Sequence, residues 1–318
     1  MIKQILRWLI LGVTLFFLGR AINGHWSEVM AIQIDAVGWS VLSIATGVTL
    51  LAHVWGGWIW TGILRELNQV VPSSEFIQVY LKTNIAKYLP GNVWHHYGRI
   101  VAAKNADVPA GAATLSVLLE PLLMAAAALI IIIVLGGQFT ATHTTIFIQI
   151  LQFFSLAVVL CAVHPRFLNP VIRLVYQLKS KKLKSKNPTT TSPTIPFNLK
   201  RYPLRPLLGE LGFLFLRGGG FILTVFALTP LHLSQLPLLL GAFSFAWLLG
   251  FVVPGAPGGL GVFEVTAISL LQHHFPAAVL ISAMACYRLI SIIAEAAGAS
   301  LAAFQQRVSK NEGTEKSE

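Results

Sequence analysis

Four charged residues stand out because they lie in strongly apolar sequence and occur in two widely spaced pairs. Arg99 is followed by Glu120, and Glu264 is followed by Arg288. A charge near the centre of a membrane helix costs about 2.5 kcal/mol or more, so it is expected to face protein or water and to have a partner. Two interpretations stay open: structural ion pairs, or an anion-binding site that also includes Arg217, with a glutamate pairing with the cations or relaying protons.

A break rich in proline and glycine precedes each of these pairs. Glycine adopts backbone conformations with positive φ, and the helix that follows such a break presents its N-terminus, which favours anions. Tight re-entrant turns without a ligand would explain the same residues equally well. The break residues are Pro90 and Gly91 in the first case, and Pro254, Gly255, Pro257, Gly258, Gly259 and Gly261 in the second.

Residue patterns typical of enzymes and metal sites are missing from the sequence. We find no Ser-His-Asp pattern, no Asp-x-Asp with a soluble domain and no Walker loop, so we expect neither an enzyme nor a cofactor. The pairs His95-His96 and His273-His274 do not form a metal site, because adjacent residues on a helix point about 100° apart. We expect both pairs near the membrane interfaces, in contact with solvent or lipid headgroups.

The composition excludes an ordinary soluble domain. Only 11% of the 318 residues are charged and 55% are hydrophobic, whereas soluble domains carry about 25% charged residues. The net charge of +11 does not indicate nucleic-acid binding, because thirteen of the 23 basic residues lie at 166–205 and from Arg307 onward. Basic clusters beside apolar spans are typical of membrane orientation.

The apolar runs predict an all-α polytopic membrane protein with about six full spans. Two further segments, near 73–105 and 236–272, are each broken into helices too short to cross about 30 Å of hydrocarbon, so we predict re-entrant hairpins. Counting the hairpins as spans would give eight. The six predicted spans are residues 4–22, 37–64, 110–136, 144–163, 207–228 and 276–304.

The order of these segments predicts two repeats of opposite orientation. Residues 1–36 hold a first helix and an outer loop, 37–178 the first repeat, 179–205 a flexible basic linker, 206–304 the second repeat and 305–318 a disordered tail. A cleaved signal peptide is the alternative for the first helix. No outer loop contains Lys or Arg, which places both termini in the cytoplasm and the protein in the inner (plasma) membrane. Inverted repeats with broken helices are the plan of many secondary transporters.

Two motifs resemble one known family. KYLPGNVW at residues 87–94, with Gly98-Arg99 and then Glu120, is similar to the first signature of the lysylphosphatidylglycerol synthase transmembrane-region family. PGGLGVFE at residues 257–264, followed by Tyr287-Arg288, is similar to the second. The resemblance implies a bundle with two re-entrant hairpins, like the lipid-flipping domain of multiple peptide resistance factor. The synthase's soluble aminoacyl-transferase domain has no counterpart here, so we do not expect synthesis of lysylphosphatidylglycerol.

Two functional hypotheses from different classes follow. The first is a lipid flippase or transporter that moves an anionic phospholipid or a lipid-linked envelope intermediate without ATP hydrolysis. The second is a non-transporting scaffold or accessory subunit of an envelope-lipid or glycan biosynthetic enzyme, for which the basic linker could serve as a docking segment. A membrane-embedded transferase is a third and weaker hypothesis.

Overall fold

The computed structural model describes residues 27, 31–88, 93–135, 146–184, 198–253 and 257–315, which are mostly helical and include no strand. Three short 3-10 turns, Ile85–Tyr88, Leu233–Gln235 and Pro257–Gly259, accompany the helices. The predicted first helix and the break residues Pro90, Gly91, Pro254 and Gly255 lie outside the described residues. The helices are α1 (Ala36–Glu66), α2 (Ser73–Asn84), α3 (Trp94–Asn105), α4 (Ala110–Leu135), α5 (Ile146–Val163), α6 (Pro165–Lys184), α7 (Leu204–Phe226), α8 (Leu236–Val252), α9 (Val262–Leu271) and α10 (Ala277–Glu315).

Five of the described helical segments are long and apolar enough to cross a membrane. They are Ala36–Glu66, Ala110–Leu135, Leu204–Phe226, Leu233–Val252 and Ala277–Arg307. A sixth span results if α5 and α6, which are bent by 56° at their junction, are counted together. The protein is therefore an integral membrane protein with several spans. Leu233–Val252, which the sequence predicts as one arm of a hairpin, is long enough to cross a membrane because the 3-10 turn extends α8 to 20 residues, about 30 Å.

The centre of the bundle is the contact between α1 and α7, which run antiparallel. Thr49 lies against Gly220, whereas Ile59, further along α1, lies against Gly209, nearer the start of α7. Trp55 Nε1 donates a hydrogen bond of 2.9 Å to the Gly209 carbonyl. Glycines at this contact allow the two backbones to approach closely, as is common between membrane helices.

The helices of the two halves contact one another in matching pairs. In the first half α1 contacts α2, α4 and α10, and in the second half α7 contacts α8, α10 and α4. If α1, α2, α3 and α4 are matched in order with α7, α8, α9 and α10, three further contacts also match. These are α2–α3 with α8–α9, α3–α4 with α9–α10, and α2–α10 with α8–α4. Exchanging α1–α4 with α7–α10 therefore leaves this set of contacts unchanged.

The segment predicted as a flexible linker is ordered at both of its described ends. Helix α6 continues to Lys184, so residues 179–184, which the sequence predicts as part of the linker, are helical. After the gap, Leu199 is buried and forms two hydrogen bonds with the Asn169 side chain, at 2.9 and 3.1 Å. Asn68 Nδ2 donates to the Asn198 carbonyl at 3.2 Å. Composition alone did not indicate these long-range contacts.

The segment predicted as a tail is largely helical. Helix α10 extends to Glu315 and so includes residues 305–315. Gln, Arg, Lys and Glu favour helix, and extending an existing helix requires no new nucleation. Gln78 Nε2 on α2 donates to Gln305 Oε1 at 3.3 Å, and Lys82 contacts Gln306.

Candidate functional site

A cavity of about 130 Å3 lies where the two halves meet. One water molecule needs about 10–15 Å3 of such space, so the cavity is large enough for several waters or a headgroup-sized anion. The 3-10 turns Ile85–Tyr88 and Pro257–Gly259 contact each other here. A Cβ atom added to Gly258 would lie only 3.0 Å from Tyr88 Cε1, so the two broken segments meet at this cavity.

The first ion pair at the cavity joins Arg99 on α3 to Glu120 on α4. Each residue is only 2% exposed, and Arg99 Nη1 lies 2.7 Å from Glu120 Oε2. Arg99 Nη2 also donates to Asn84 Oδ1 at 3.0 Å, and the guanidinium carbon lies 3.7 Å from the centre of the Tyr80 ring. The arginine is thus held by a carboxylate, an amide and an aromatic face.

The second ion pair joins Glu264 on α9 to Arg288 on α10, with the charges in the opposite order. Arg288 Nε donates to Glu264 Oε1 at 2.8 Å, and Arg288 Nη1 donates to the Gly258 carbonyl at 3.0 Å. Glu264 Oε2 accepts a hydrogen bond of 2.6 Å from the Gly261 amide. Gly258, Gly259 and Gly261 have φ values of 60°, 74° and 83°, which other residues rarely adopt.

A third cluster connects α1, the first 3-10 turn, α7 and α10. Lys87 Nζ lies 2.5 Å from Glu295 Oε1, and His53 Nε2 lies 3.3 Å from the same oxygen. His53 Nε2 is also 3.4 Å from Arg217 Nη1, while His53 Nδ1 is 3.2 Å from Asn84 Nδ2. Since Asn84 also binds the first ion pair, a continuous polar chain connects the two halves.

Arg217 differs from the other three cations at the cavity. Lys87, Arg99 and Arg288 each contact a carboxylate, whereas no carboxylate among the described residues lies within 4.0 Å of Arg217. Its Nε, like that of Arg99, is buried without a hydrogen-bond partner among the described residues, and Arg217 is only 8% exposed. The Tyr287 hydroxyl donates to the Arg217 backbone carbonyl at 3.1 Å, which fixes the backbone and leaves the guanidinium facing the cavity.

Comparison with models of protein families matches residues 4–298 to the family described as "Lysylphosphatidylglycerol synthase TM region". The chain belongs to this family. The match includes both halves and every residue of the cavity, and it identifies a lipid-related membrane protein. No curated protein matches the chain.

In this family member, the cavity brings together the charged residues singled out in the sequence. Arg99, Glu120, Arg217 and Arg288 line it, as do Gly258 and Gly259. Glu264 is not among the lining residues but accepts a hydrogen bond from Arg288, and the Gly261 amide in turn donates to Glu264. Pro257 begins the turn that contains Gly258. That these residues bind a substrate remains a prediction.

Four buried or cavity-lining residues are not among the candidates predicted from the sequence: Asn84, Lys87, Glu210 and Glu295. Glu295 lies seven residues after Arg288, and Glu210 lies seven residues before Arg217, so each shares a helix face with a predicted site residue two turns away. This spacing could have identified both glutamates. Lys87 begins the KYLPGNVW motif, whereas Asn84 depends on contacts between distant helices and has no comparable signal. His53 is buried and hydrogen-bonded, as expected of a polar core residue within a span.

Glu210 is unusual because its carboxyl group has no partner. The residue is fully buried on α7, and neither of its carboxyl oxygens forms a hydrogen bond. It lies close enough to Glu120 and Arg99 to interact with both electrostatically. It therefore stands beside the first ion pair without being part of it.

The two histidine pairs lie in different environments. His95 is buried, so solvent contact is the wrong expectation for this residue, and both His95 and His96 line the cavity. That this pair contacts lipid headgroups stays a prediction. His273 and His274 are exposed. No three His, Cys, Asp or Glu side chains in the described part of the chain are grouped as a metal site would require.

Proposed function

We propose that the protein transfers an anionic phospholipid, or a lipid-linked envelope intermediate, between membrane leaflets without ATP hydrolysis. The observation that carries this proposal is Arg217, a buried cation at the cavity that contacts no carboxylate among the residues that the structure describes. A buried cation that no carboxylate contacts is costly, so an anionic ligand is the natural counter-ion. Arginine binds phosphate oxygens through paired hydrogen bonds, and Arg217 Nε is unused.

The charge balance of the cavity supports an anionic substrate. Four cations surround it, Lys87 and the three arginines, whereas three carboxylates bind to them: Glu120, Glu264 and Glu295. We count Glu210 as neutral, because no contact among the described residues stabilises a charge on its buried carboxyl. Four positive charges against three negative ones then leave a single positive charge, which one phosphodiester headgroup would neutralise. Glu210 is not hydrogen-bonded to any of these groups.

The relation between the two halves supports a transport mechanism. Helices α1 and α7 are antiparallel, the helix contacts are unchanged when the halves are exchanged, and the two ion pairs have opposite charge order. We infer an inverted repeat in which the segments near 73–105 and 236–272 are re-entrant hairpins with their tips at the cavity. Such repeats alternate access to a central site by rocking against each other.

The remaining parts of the proposal follow from the charge distribution. We propose an inner-membrane location with both termini in the cytoplasm, because the basic segments then lie on the cytoplasmic side. We further propose that the protein is not an enzyme, requires no cofactor and has a membrane lipid as its principal partner. A non-transporting accessory subunit of an envelope-biosynthesis enzyme is the competing outcome in the experiment below.

Leaflet transfer in proteoliposomes tests the proposal. Fluorescent phosphatidylglycerol in the inner leaflet becomes accessible to membrane-impermeant dithionite only after transfer to the outer leaflet. We expect the purified protein to accelerate this transfer, Arg217→Met to abolish most of the acceleration, and Arg205→Met to retain it. Arg205 is the matched control because it is an exposed arginine on the same helix.

Two results would contradict the proposal. One is transfer at the wild-type rate by Arg217→Met; the other is a wild-type protein that transfers lipid no faster than empty liposomes. Absence of transfer combined with purification of a stoichiometric complex with an envelope-lipid enzyme would instead support the accessory-subunit hypothesis.

A further inference from the structure

The first turn of α3 carries two histidines with unused ring nitrogens. His95 and His96 line the cavity, and the Nδ1 atom of each is buried without a hydrogen-bond partner in the described part of the chain. His95 is only 8% exposed, and the two ring centroids are 3.8 Å apart. Buried polar atoms are nearly always hydrogen-bonded, so two neighbouring exceptions at a cavity indicate a site that a ligand completes.

The position of these histidines on the helix suits an anion. His95 and His96 precede Arg99 by four and three residues, so all three side chains share one face of α3. The amide groups in the first turn of a helix lack partners within the helix and carry partial positive charge. The N-cap residue is Val93, which has no side-chain oxygen to accept from them.

Helix α9, which corresponds to α3 in the second half, has a carboxylate side chain in its first turn. Glu264 is the third residue of α9, and its carboxylate accepts hydrogen bonds from the Gly261 amide at 2.6 Å and from Arg288 Nε at 2.8 Å. The third residue of α3 is His96. One half thus places its own carboxylate between a helix N-terminus and an arginine, whereas the other places a hydrogen-bond donor there.

We propose that His95 and His96, together with the first turn of α3, form a subsite for the phosphate group of the lipid headgroup. The proposal rests on the proposed function, since it specifies where the headgroup phosphate lies in the same cavity. A neutral imidazole carries one N–H, and the Nδ1–H tautomer would donate from each ring to a phosphate oxygen, which only accepts. Lys87 and Arg99 are close enough to His95 to add positive potential.

Binding of a short-chain lipid to the purified full chain in detergent tests this subsite. The probe is dihexanoyl phosphatidylglycerol, measured by isothermal titration calorimetry, with dihexanoylglycerol as the probe that lacks phosphate. The double variant His95→Ala/His96→Ala should bind the phospholipid at least about tenfold more weakly for each donor lost. The double variant His273→Ala/His274→Ala is the matched control and should bind like the wild type, because that pair is exposed.

An asparagine variant separates a donor role from a packing role. In His95→Asn/His96→Asn each amide nitrogen takes approximately the position of Nδ1, so affinity should stay within about threefold of wild type. The subsite is refuted if the alanine pair binds as tightly as the wild type. The subsite is also refuted if the double asparagine variant binds as weakly as the double alanine variant while it stays monodisperse and keeps the melting temperature of the wild type.

The outcomes distinguish this subsite from the transport proposal. If binding depends on the histidines but the wild type does not transfer lipid between leaflets, the transport proposal is wrong and the subsite is supported. Arg217-dependent transfer combined with wild-type binding by the histidine variants would remove the subsite alone.

Discussion

Removing the Glu120 carboxylate should strongly destabilise the protein, because Arg99 would be left buried without a counter-ion. The closest nitrogen and oxygen atoms of the pair are 2.7 Å apart, and both residues are 2% exposed. Coulomb's law at that separation gives about 6 kcal/mol for an effective dielectric constant of about 20, before desolvation is counted. Since breaking a buried pair from one side typically costs about 3–5 kcal/mol, we expect a loss in this range for Glu120→Gln.

The same pair can be tested with a double-mutant cycle. The free energies of unfolding of the wild type, Glu120→Gln, Arg99→Gln and the double variant are measured in mixed detergent micelles with increasing sodium dodecyl sulfate. The double variant should lose much less stability than the sum of the single losses, because it leaves no unpaired charge. The expected coupling energy is about 2 kcal/mol or more, since the contacting groups are fully desolvated.

Because Glu210 lies near this pair, the double-mutant cycle should be repeated in a protein that also carries Glu210→Gln. Its unpartnered carboxyl lies near Arg99 and could replace the missing partner in Glu120→Gln. We therefore expect Glu120→Gln to be at least as harmful when combined with Glu210→Gln. A loss below about 1 kcal/mol in both backgrounds, or single losses that add up to the double loss, would refute the reasoning from buried charge.

Three further predictions follow from individual contacts. Glu210→Met should leave stability unchanged or raise it by about 1–3 kcal/mol, because an apolar side chain of similar length replaces a buried carboxyl without a partner among the described residues; a clear loss in the same unfolding assay would contradict this. Gly258→Ala should lose about 1–2 kcal/mol, since φ is 60° and the added Cβ would meet an aromatic ring at 3.0 Å. Gly47→Ala is its control, with no atom within 4 Å of the added Cβ, and its melting temperature should not fall. Lys87→Met should lose about 1–3 kcal/mol by removing the hydrogen bond to Glu295, and Lys87→Arg should restore most of this stability.

The membrane spans were largely predictable because the thickness of the bilayer dictates the length of an apolar run. The predicted span 110–136 corresponds to helix Ala110–Leu135, and the predicted span 207–228 to Leu204–Phe226. The contact between Arg99 and Glu120 was foreseeable for a similar reason, since a charge within the membrane needs a partner and few candidates exist. In these cases a strong local constraint acts on a small number of residues.

The third polar cluster was not predictable in the same way. His53 and Glu295 are separated by most of the chain, and they meet only because α1 packs against α10. No periodicity of sequence specifies that contact. Leu199 and Asn169 provide a second example, in which a basic and polar segment is held by two side-chain hydrogen bonds rather than by an apolar core.

The arrangement of charges gives the arginines at the cavity different roles, some in stability and one in binding. An anion that bound Arg99 or Arg288 would have to displace a carboxylate and leave it buried without a partner, which is costly. An anion that bound Arg217 would displace nothing, because that arginine has no carboxylate to lose. We therefore expect substitutions of Arg99 and Arg288 to act mainly on stability, and substitutions of Arg217 to act mainly on binding and transfer. If Arg217→Met lowered stability as much as Arg99→Gln while leaving lipid affinity intact, this division of roles would be wrong.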